Sequence, residues 1–180
     1  RLLNGEVVTF ETDWFKLREA RCQLLPYQSP TVEMAVASAI SPTGARTAGK
    51  YGIGMISVAA SHPEGFKQLG NHWDICAAKA AEYGKSVSRA NWRVVTPFHI
   101  AETREQAFAD LRYGLMDMMH YFRKFGASPY RVAKDFEEPV AIWTGGGLGA
   151  FGVGVVGTPD DMIAHIRKLQ EQSGGFATFL

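Results

Sequence analysis

Short apolar runs alternate with helix-type patterns along most of this chain. Runs at 32–36, 53–59 and 92–96 are typical of strands covered on both faces. Each precedes a segment whose apolar residues recur every three or four positions, in the helices predicted after Pro42, at 63–80 and at 103–122. A last helix begins at Thr158, and a strand ends the chain. This repeat predicts an α/β fold with parallel strands.

Two segments stand outside the repeat. The β-rich runs Val7–Phe10 and Trp14–Leu17 are close together and predict a hairpin. Residues 126–157 contain GLGAFG, which matches the dinucleotide-binding pattern GxGxxG but does not open a helix directly, as that pattern requires. We therefore interpret 126–157 as a loop or lid inserted in a single unit that spans residues 1–180.

The residues between the first apolar run and its helix, in MAVASAISPTGARTAG at 34–49, are suited to bind an anion. Ser41 is predicted as the N-cap and Pro42 as the first helical residue. Ala37 and Gly44 are small enough for a ligand to approach the backbone, while Ser38 and Ser41 add hydroxyl donors. Free N–H groups and the helix dipole favour a phosphate there. An ordinary capped strand-to-helix turn explains the same residues equally well.

Two architectures fit the repeat, a doubly wound open sheet and part of a (β/α)8 barrel, and the spacing of the units does not choose between them. Both place ligands at the carboxyl ends of the strands. There, Ser57 follows the second strand and His99 the third, so both are candidates to line a substrate pocket. A structural role for His99 is an equal alternative.

Composition narrows the functional classes. The formal net charge is +1, and no basic cluster accompanies an aromatic platform, which argues against nucleic-acid binding. Cys22 and Cys76 lack metal-ligand spacing and are expected to be free thiols of a reducing cytoplasm. No apolar run is long enough to span a membrane. The other four histidines have no paired ligand, which predicts surface or boundary positions and no metal site: His62, His72, His120 and His165.

Three segments, in the same order, resemble the bacterial luciferase-like monooxygenases, which are flavin- or deazaflavin-dependent (β/α)8 barrels. They are residues 7–60, which contain the junction quoted above, WRVVTPFHIAETREQAFADLR at 92–112 and VGTPDDMIAHIRKLQEQSGGFATFL at 156–180. Within the family, the limonene-monooxygenase-like branch is the most similar. The resemblance implies that the chain carries strands five to eight of the barrel and that the first half is absent. The first residue, Arg1, and the strand at the end also suggest a piece of a longer protein.

The resemblance also implies a chemistry. Reduced FMN, supplied by a separate flavin reductase, would react with O2 to oxygenate a small, apolar substrate. Ser38 and Ser41 correspond to phosphate-contacting positions, whereas luciferases proper carry an acid at the position of Ala37. The catalytic residues are expected in the absent half, so this piece alone would be inactive and would form a homo-oligomer or pair with that half. The alternatives are a non-catalytic flavin-binding or structural relative and an F420-dependent oxidoreductase.

Overall fold

The computed structural model describes residues 1–29, 32–124, 140–141 and 154–180. The chain divides into two units, Arg1–Met34 and Ala35–Leu180. Within the described residues, no helix is both long and apolar enough to cross a membrane.

The first unit contains the predicted hairpin. Strands β1 (Val8–Glu11) and β2 (Lys16–Ala20) pair antiparallel. The Thr12 hydroxyl oxygen accepts hydrogen bonds from the N–H groups of Trp14 and Phe15, at 3.4 and 3.1 Å, and so closes the turn. A threonine side chain at the start of a turn supplies the acceptor that the reversing backbone lacks.

The second unit contains the predicted strand–helix repeat. Its elements are β3 (Ala35–Ser38), α1 (Thr43–Tyr51), β4 (Gly54–Ser57), α2 (Pro63–Lys67), α3 (Leu69–Glu82), β5 (Trp92–Val94), β6 (Phe98–Ile100), α4 (Arg104–Asp110), α5 (Leu115–Lys124), β7 (Val155–Gly157), α6 (Pro159–Ser173) and β8 (Thr178–Phe179). Strands β3, β4, β5 and β8 form a parallel sheet in that order, and β6 pairs with β7 in a separate parallel sheet. The parallel prediction is confirmed.

The two faces of the four-stranded sheet differ. One face, which carries Met55, Trp92 and Val94, packs on the buried helix residues Ala45, Ala48, Leu69, Cys76 and Leu169. The opposite face carries Ala35 and Ala37, which are both exposed, and the half-buried Ile56. In a closed (β/α)8 barrel this second face points into the barrel. The prediction that the first strand is covered on both faces is therefore wrong for the structure of this chain.

Helix α1 lies very close to both β3 and α3. A Cβ atom added at Gly44 would overlap the Ala37 carbonyl oxygen and approach Ser38 Cα to 2.7 Å. One added at Gly49 would overlap the Cys76 carbonyl oxygen. Both glycines are buried in the helix, where glycine is otherwise unfavourable. Close packing therefore accounts for the small residues at 44 and 49.

The predicted long helices are each divided in two. The apolar stripe at 63–80 spans α2 and α3, which meet at Gln68. The stripe at 103–122 spans α4, a 3₁₀ turn at Leu111–Tyr113, and α5. A periodic stripe continues through such a break because the same face stays buried, so periodicity alone does not reveal it.

The helix start predicted at Thr103 is confirmed, and Thr103 with Gln106 forms half of a capping box. The Thr103 hydroxyl accepts from the Gln106 N–H at 3.1 Å, but the Gln106 side chain bonds Asp110. At α6, both halves are present: the Thr158 hydroxyl accepts from the Asp161 N–H, and the Asp161 carboxylate accepts from the Thr158 N–H at 3.0 Å. Helix α6 therefore has the more complete N-terminal cap.

The Gly49→Ala substitution tests the close approach of α1 to α3. We expect a loss of about 2 kcal/mol of unfolding free energy, because overlap with a backbone carbonyl outweighs the roughly 1 kcal/mol that alanine gains in helix propensity. Urea denaturation measures the change. The matched control is Gly114→Ala, because a Cβ at Gly114 meets no atom of the described residues within 4 Å. Equal stabilities of the two variants would contradict the packing.

Candidate functional site

The candidate site begins where β3 ends and α1 starts. The prediction that Ser41 caps α1 is wrong: the N-cap position is Pro42, and the helix begins at Thr43. The first helical bond runs from the Arg46 N–H to the Pro42 carbonyl, at 2.9 Å. The Ser41 hydroxyl instead lies 3.4 Å from the Thr43 hydroxyl, to which it donates. The helix thus starts one residue later than predicted, and the Ser41 side chain bonds another hydroxyl rather than a helical N–H.

The first turn of α1 keeps the features of an anion site. No side chain caps the helix, and no acidic residue lies in its first turn. The N–H groups of Thr43, Gly44 and Ala45 precede the first helical bond, so they have no partner within the helix. Ser41 and Thr43 are both exposed beside them. Uncapped N–H groups at the positive end of a helix dipole attract a negatively charged group.

Ser38 points to the helix-covered side of the sheet. Its side chain is fully buried, and its hydroxyl lies 3.4 Å from Nδ1 of His72 on α3. Ala37, the residue before it, lies on the open face, since side chains alternate along a strand. The four residues predicted to bind a cofactor therefore have different surroundings: Ser41 is exposed at the junction, Gly44 packs on β3, Ala37 faces the open side and Ser38 bonds His72.

Two further hydroxyl groups lie at strand ends, and each is hydrogen-bonded to an aromatic side chain. Ser57, at the end of β4, is fully buried and accepts a 2.8 Å hydrogen bond from the indole N–H of Trp92. Thr96, just after β5, lies 3.3 Å from Nε2 of His165 on α6. Ser57 thus faces the helices and the core, where it satisfies the buried indole.

The surroundings of His72 define its tautomer. Nε2 lies 3.1 Å from the carbonyl oxygen of Ile40, which only accepts, so Nε2 carries the proton. Nδ1 then accepts from the Ser38 hydroxyl. Desolvation by burial lowers the pKa of His72, and the bond to the Ile40 carbonyl opposes this shift. Desolvation also lowers the pKa of His165, with a smaller contribution from Lys168. Both histidines are therefore favoured in the neutral form.

The prediction that His72 and His165 occupy surface or boundary positions fails for His72, which is 1% exposed, while His165 is half-buried. The sequence contains a signal for this. His72 lies three residues after Leu69 and four before Cys76, on the apolar stripe of its helix. His165 has the same relation to Met162 and Leu169. Their positions in the apolar stripes indicate that both side chains are at least partly buried. The spacing of metal ligands gives no information about burial.

His99 lines a separate cavity. The cavity has a volume of about 300 Å³ and lies between β6 and the segments around α4 and α5. Nε2 of His99 is 3.3 Å from Oδ2 of Asp110, and the Gln106 amide donates to the other oxygen of that carboxylate. The remaining walls are mostly apolar: Phe98, Leu111, Gly114, Leu115 and Met118. Ser57 is not among the lining residues, so the two predicted pocket residues belong to different surroundings.

Among the residues that the structure describes, no group of three or more His, Cys, Asp or Glu side chains is arranged to hold a metal ion. The glycines of GLGAFG and most of the predicted loop at 126–157 lie outside the described residues. The end of that range, Val155–Gly157, forms β7.

A family model described as luciferase-like monooxygenase matches residues 1–175. The chain belongs to this family. Among curated luciferase-like relatives, it is 43% identical to limonene 1,2-monooxygenase from Rhodococcus erythropolis over all 180 residues, which are 44% of that protein. It is 37% identical to 4-hydroxyprotoasukamycin monooxygenase from Streptomyces nodosus subsp. asukaensis, over the whole chain and 48% of that protein. The chain thus spans about half the length of these relatives.

Solved structures of similar fold show the same partial coverage. The monooxygenase RslO1 from Streptomyces bottropensis aligns with 99% of this luciferase-like chain and 49% of its own, at 23% identity and a TM-score of 0.66. The oxygenating constituent of 3,6-diketocamphane monooxygenase from Pseudomonas putida aligns with 98% of this chain and 52% of its own, at 21% identity and a TM-score of 0.62. An F420-dependent secondary alcohol dehydrogenase aligns with 99% of this chain and 51% of its own, at 21% identity and a TM-score of 0.61. The α/β fold is that of a partial (β/α)8 barrel, as predicted.

The two neutral histidines predict that this luciferase-like chain loses stability in acid. Each histidine has a folded-state pKa below its ordinary value of about 6.5, so the unfolded chain binds protons first as the pH falls. Their contribution is complete above pH 6.5 and decreases between pH 6.5 and the folded pKa, by at most about 1.4 kcal/mol per pH unit for each histidine. Urea denaturation at several pH values measures the slope. The His165→Asn variant should show a shallower slope, and an unchanged one would contradict the assignment.

Proposed function

We propose that the intact protein containing this chain is a flavin-dependent monooxygenase that uses reduced FMN and O2 to oxygenate a small, apolar organic substrate. The observation that carries the proposal is the uncapped first turn of α1 behind the end of β3. It provides anion-binding N–H groups in a chain of the luciferase-like monooxygenase family. Two similar proteins support the proposed substrate class and cofactor: a limonene 1,2-monooxygenase, and a diketocamphane monooxygenase whose structure is in complex with FMN.

The residues of the junction fit the phosphate of FMN. The N–H groups of Thr43 and Gly44 would hold the phosphate oxygens, and the exposed hydroxyls of Ser41 and Thr43 would donate further hydrogen bonds. The first turn carries no acidic side chain that would repel a dianion. Of the four predicted cofactor residues, Ser41 is therefore the one whose side chain we propose as a direct contact.

The protein and the cofactor would divide the work. Reduced flavin, delivered by a separate reductase, supplies the chemistry with O2, while the protein binds it, orients it and excludes water. The cavity beside His99 has an apolar wall and one polar end, a composition suited to a small, mostly apolar molecule. We propose His99 as a hydrogen-bonding group for the substrate, held in place by Asp110. We also propose that this half pairs with the rest of its barrel or with a second copy of the protein.

A turnover assay on the intact protein tests the proposal. With reduced FMN, O2 and a cyclic terpene such as limonene, we expect O2 consumption that depends on the terpene and an oxygenated product by mass spectrometry. Tight flavin binding without turnover on a terpene panel would instead support the non-catalytic alternative. Hydride transfer to or from F420 without O2 would support the deazaflavin alternative, which the similarity to an F420-dependent dehydrogenase keeps open.

The Ser41→Glu substitution tests the phosphate contact. We expect the dissociation constant of FMN to rise about tenfold or more, because the added carboxylate repels the phosphate and the hydroxyl donor is lost. Fluorescence titration measures it. Ser86→Glu is the matched control, since it adds the same charge at an exposed position in the loop before β5, at the opposite end of the strands. Equal affinities in both variants would remove Ser41 from the site.

A further inference from the structure

His72 is a buried polar residue that the proposed chemistry does not use. It lies on α3, behind the sheet, and its two ring nitrogens bond the last residue of β3 and the loop that leads from β3 to α1. One nitrogen faces the Ser38 hydroxyl and the other the Ile40 carbonyl, at 3.4 and 3.1 Å. Burying an imidazole is costly unless both nitrogens are paired, and here both are.

The bond to the Ile40 carbonyl also fixes the direction of the N–H group of the next residue, Ser41. The peptide group is planar and trans, so the N–H of Ser41 points in the direction opposite to the Ile40 carbonyl. Because that carbonyl points at His72, the Ser41 N–H is directed away from α3. The bond to Ser38 holds the segment at its other end, two residues earlier. His72 therefore sets the orientation of the peptide that leads into the first turn of α1.

The same helix also fixes the position of α1. Gly49 in the second half of α1 packs directly on the Cys76 carbonyl, one turn after His72 on α3. Helix α3 thus holds both the body of α1 and the segment before its N-terminus. A shift of His72 would move the segment 38–41 relative to the first-turn N–H groups.

We propose that His72 is a positioning residue for the phosphate-binding segment 38–43, and that it aligns the backbone for the phosphate of FMN without touching the ligand. This inference rests on the proposed function. A positioning role predicts a loss that is specific to the phosphate, whereas a purely structural role predicts an equal loss for every flavin. Riboflavin, which has the same ring system and no phosphate, separates these two cases.

The experiment compares the affinities of the intact protein for reduced FMN and reduced riboflavin under anaerobic conditions. In the His72→Leu variant, we expect the dissociation constant of FMN to rise about 10- to 100-fold, the range found when a residue that orients a metal ligand by a hydrogen bond is lost. The dissociation constant of riboflavin should stay within about twofold. His72→Gln, whose amide can still donate to the Ile40 carbonyl, should recover most of the preference for FMN. Circular dichroism verifies that each variant is folded.

His165→Leu is the matched control. His165 is also bonded to a hydroxyl near a strand end, Thr96, but not to the segment before α1, so its loss should leave the ratio of the two affinities unchanged. If the wild type prefers FMN and His72→Leu has the same ratio of FMN to riboflavin affinity, this inference is overturned while the proposed function stands. If His72→Leu does not fold, His72→Asn replaces it, because its shorter amide can reach Ser38 but not the Ile40 carbonyl. A preference for FMN that falls in His72→Asn and is kept in His72→Gln and His165→Leu supports the inference, and an unchanged preference in His72→Asn overturns it. A wild type that does not prefer FMN over riboflavin would overturn the proposed phosphate site as well.

Discussion

The close contact of α1 with both β3 and α3 is the constraint on which the candidate site depends. Gly44 allows the first turn of α1 to approach the end of β3, and Gly49 allows the second half to approach the carbonyl of Cys76 on α3. Any side chain at these positions would push the helix outwards. The location of the helix N-terminus, and with it the direction of its N–H groups, is therefore set by packing more than by capping.

Behind the sheet, the polar groups are consistently paired. Ser38, Ser57 and Thr96 bond a histidine, a tryptophan and a histidine, respectively. Two of these rings come from helices that cover the sheet, so the bonds tie strand ends to helices α3 and α6. Since unpaired hydroxyls in a core are unfavourable, each pair also selects one arrangement of helix on strand. At the junction, by contrast, the hydroxyls of Ser41 and Thr43 are exposed, and the first-turn N–H groups of α1 have no partner within the helix.

Much of the fold could be predicted from the sequence, because hydrophobic periodicity reports the buried face of each element. The hairpin, the parallel order and the partial barrel are confirmed. The breaks at Gln68 and at Leu111–Gly114 were missed, since the apolar stripe continues through them. The direction of Ser38 was missed for another reason. In a short apolar strand nothing in the sequence says which alternate side chains face the helices, and a shift of one residue exchanges the faces. His72 was judged on metal spacing, although its place in a stripe indicated burial.

The packing of α3 has a further chemical consequence at Cys76. Its thiol is 1% exposed, and desolvation by burial raises the pKa of the thiol above its usual value. Oxidation by peroxides proceeds through the thiolate, which is rare in such surroundings. Helix α3 thus carries both the backbone carbonyl that α1 packs on and a thiol that burial keeps protonated.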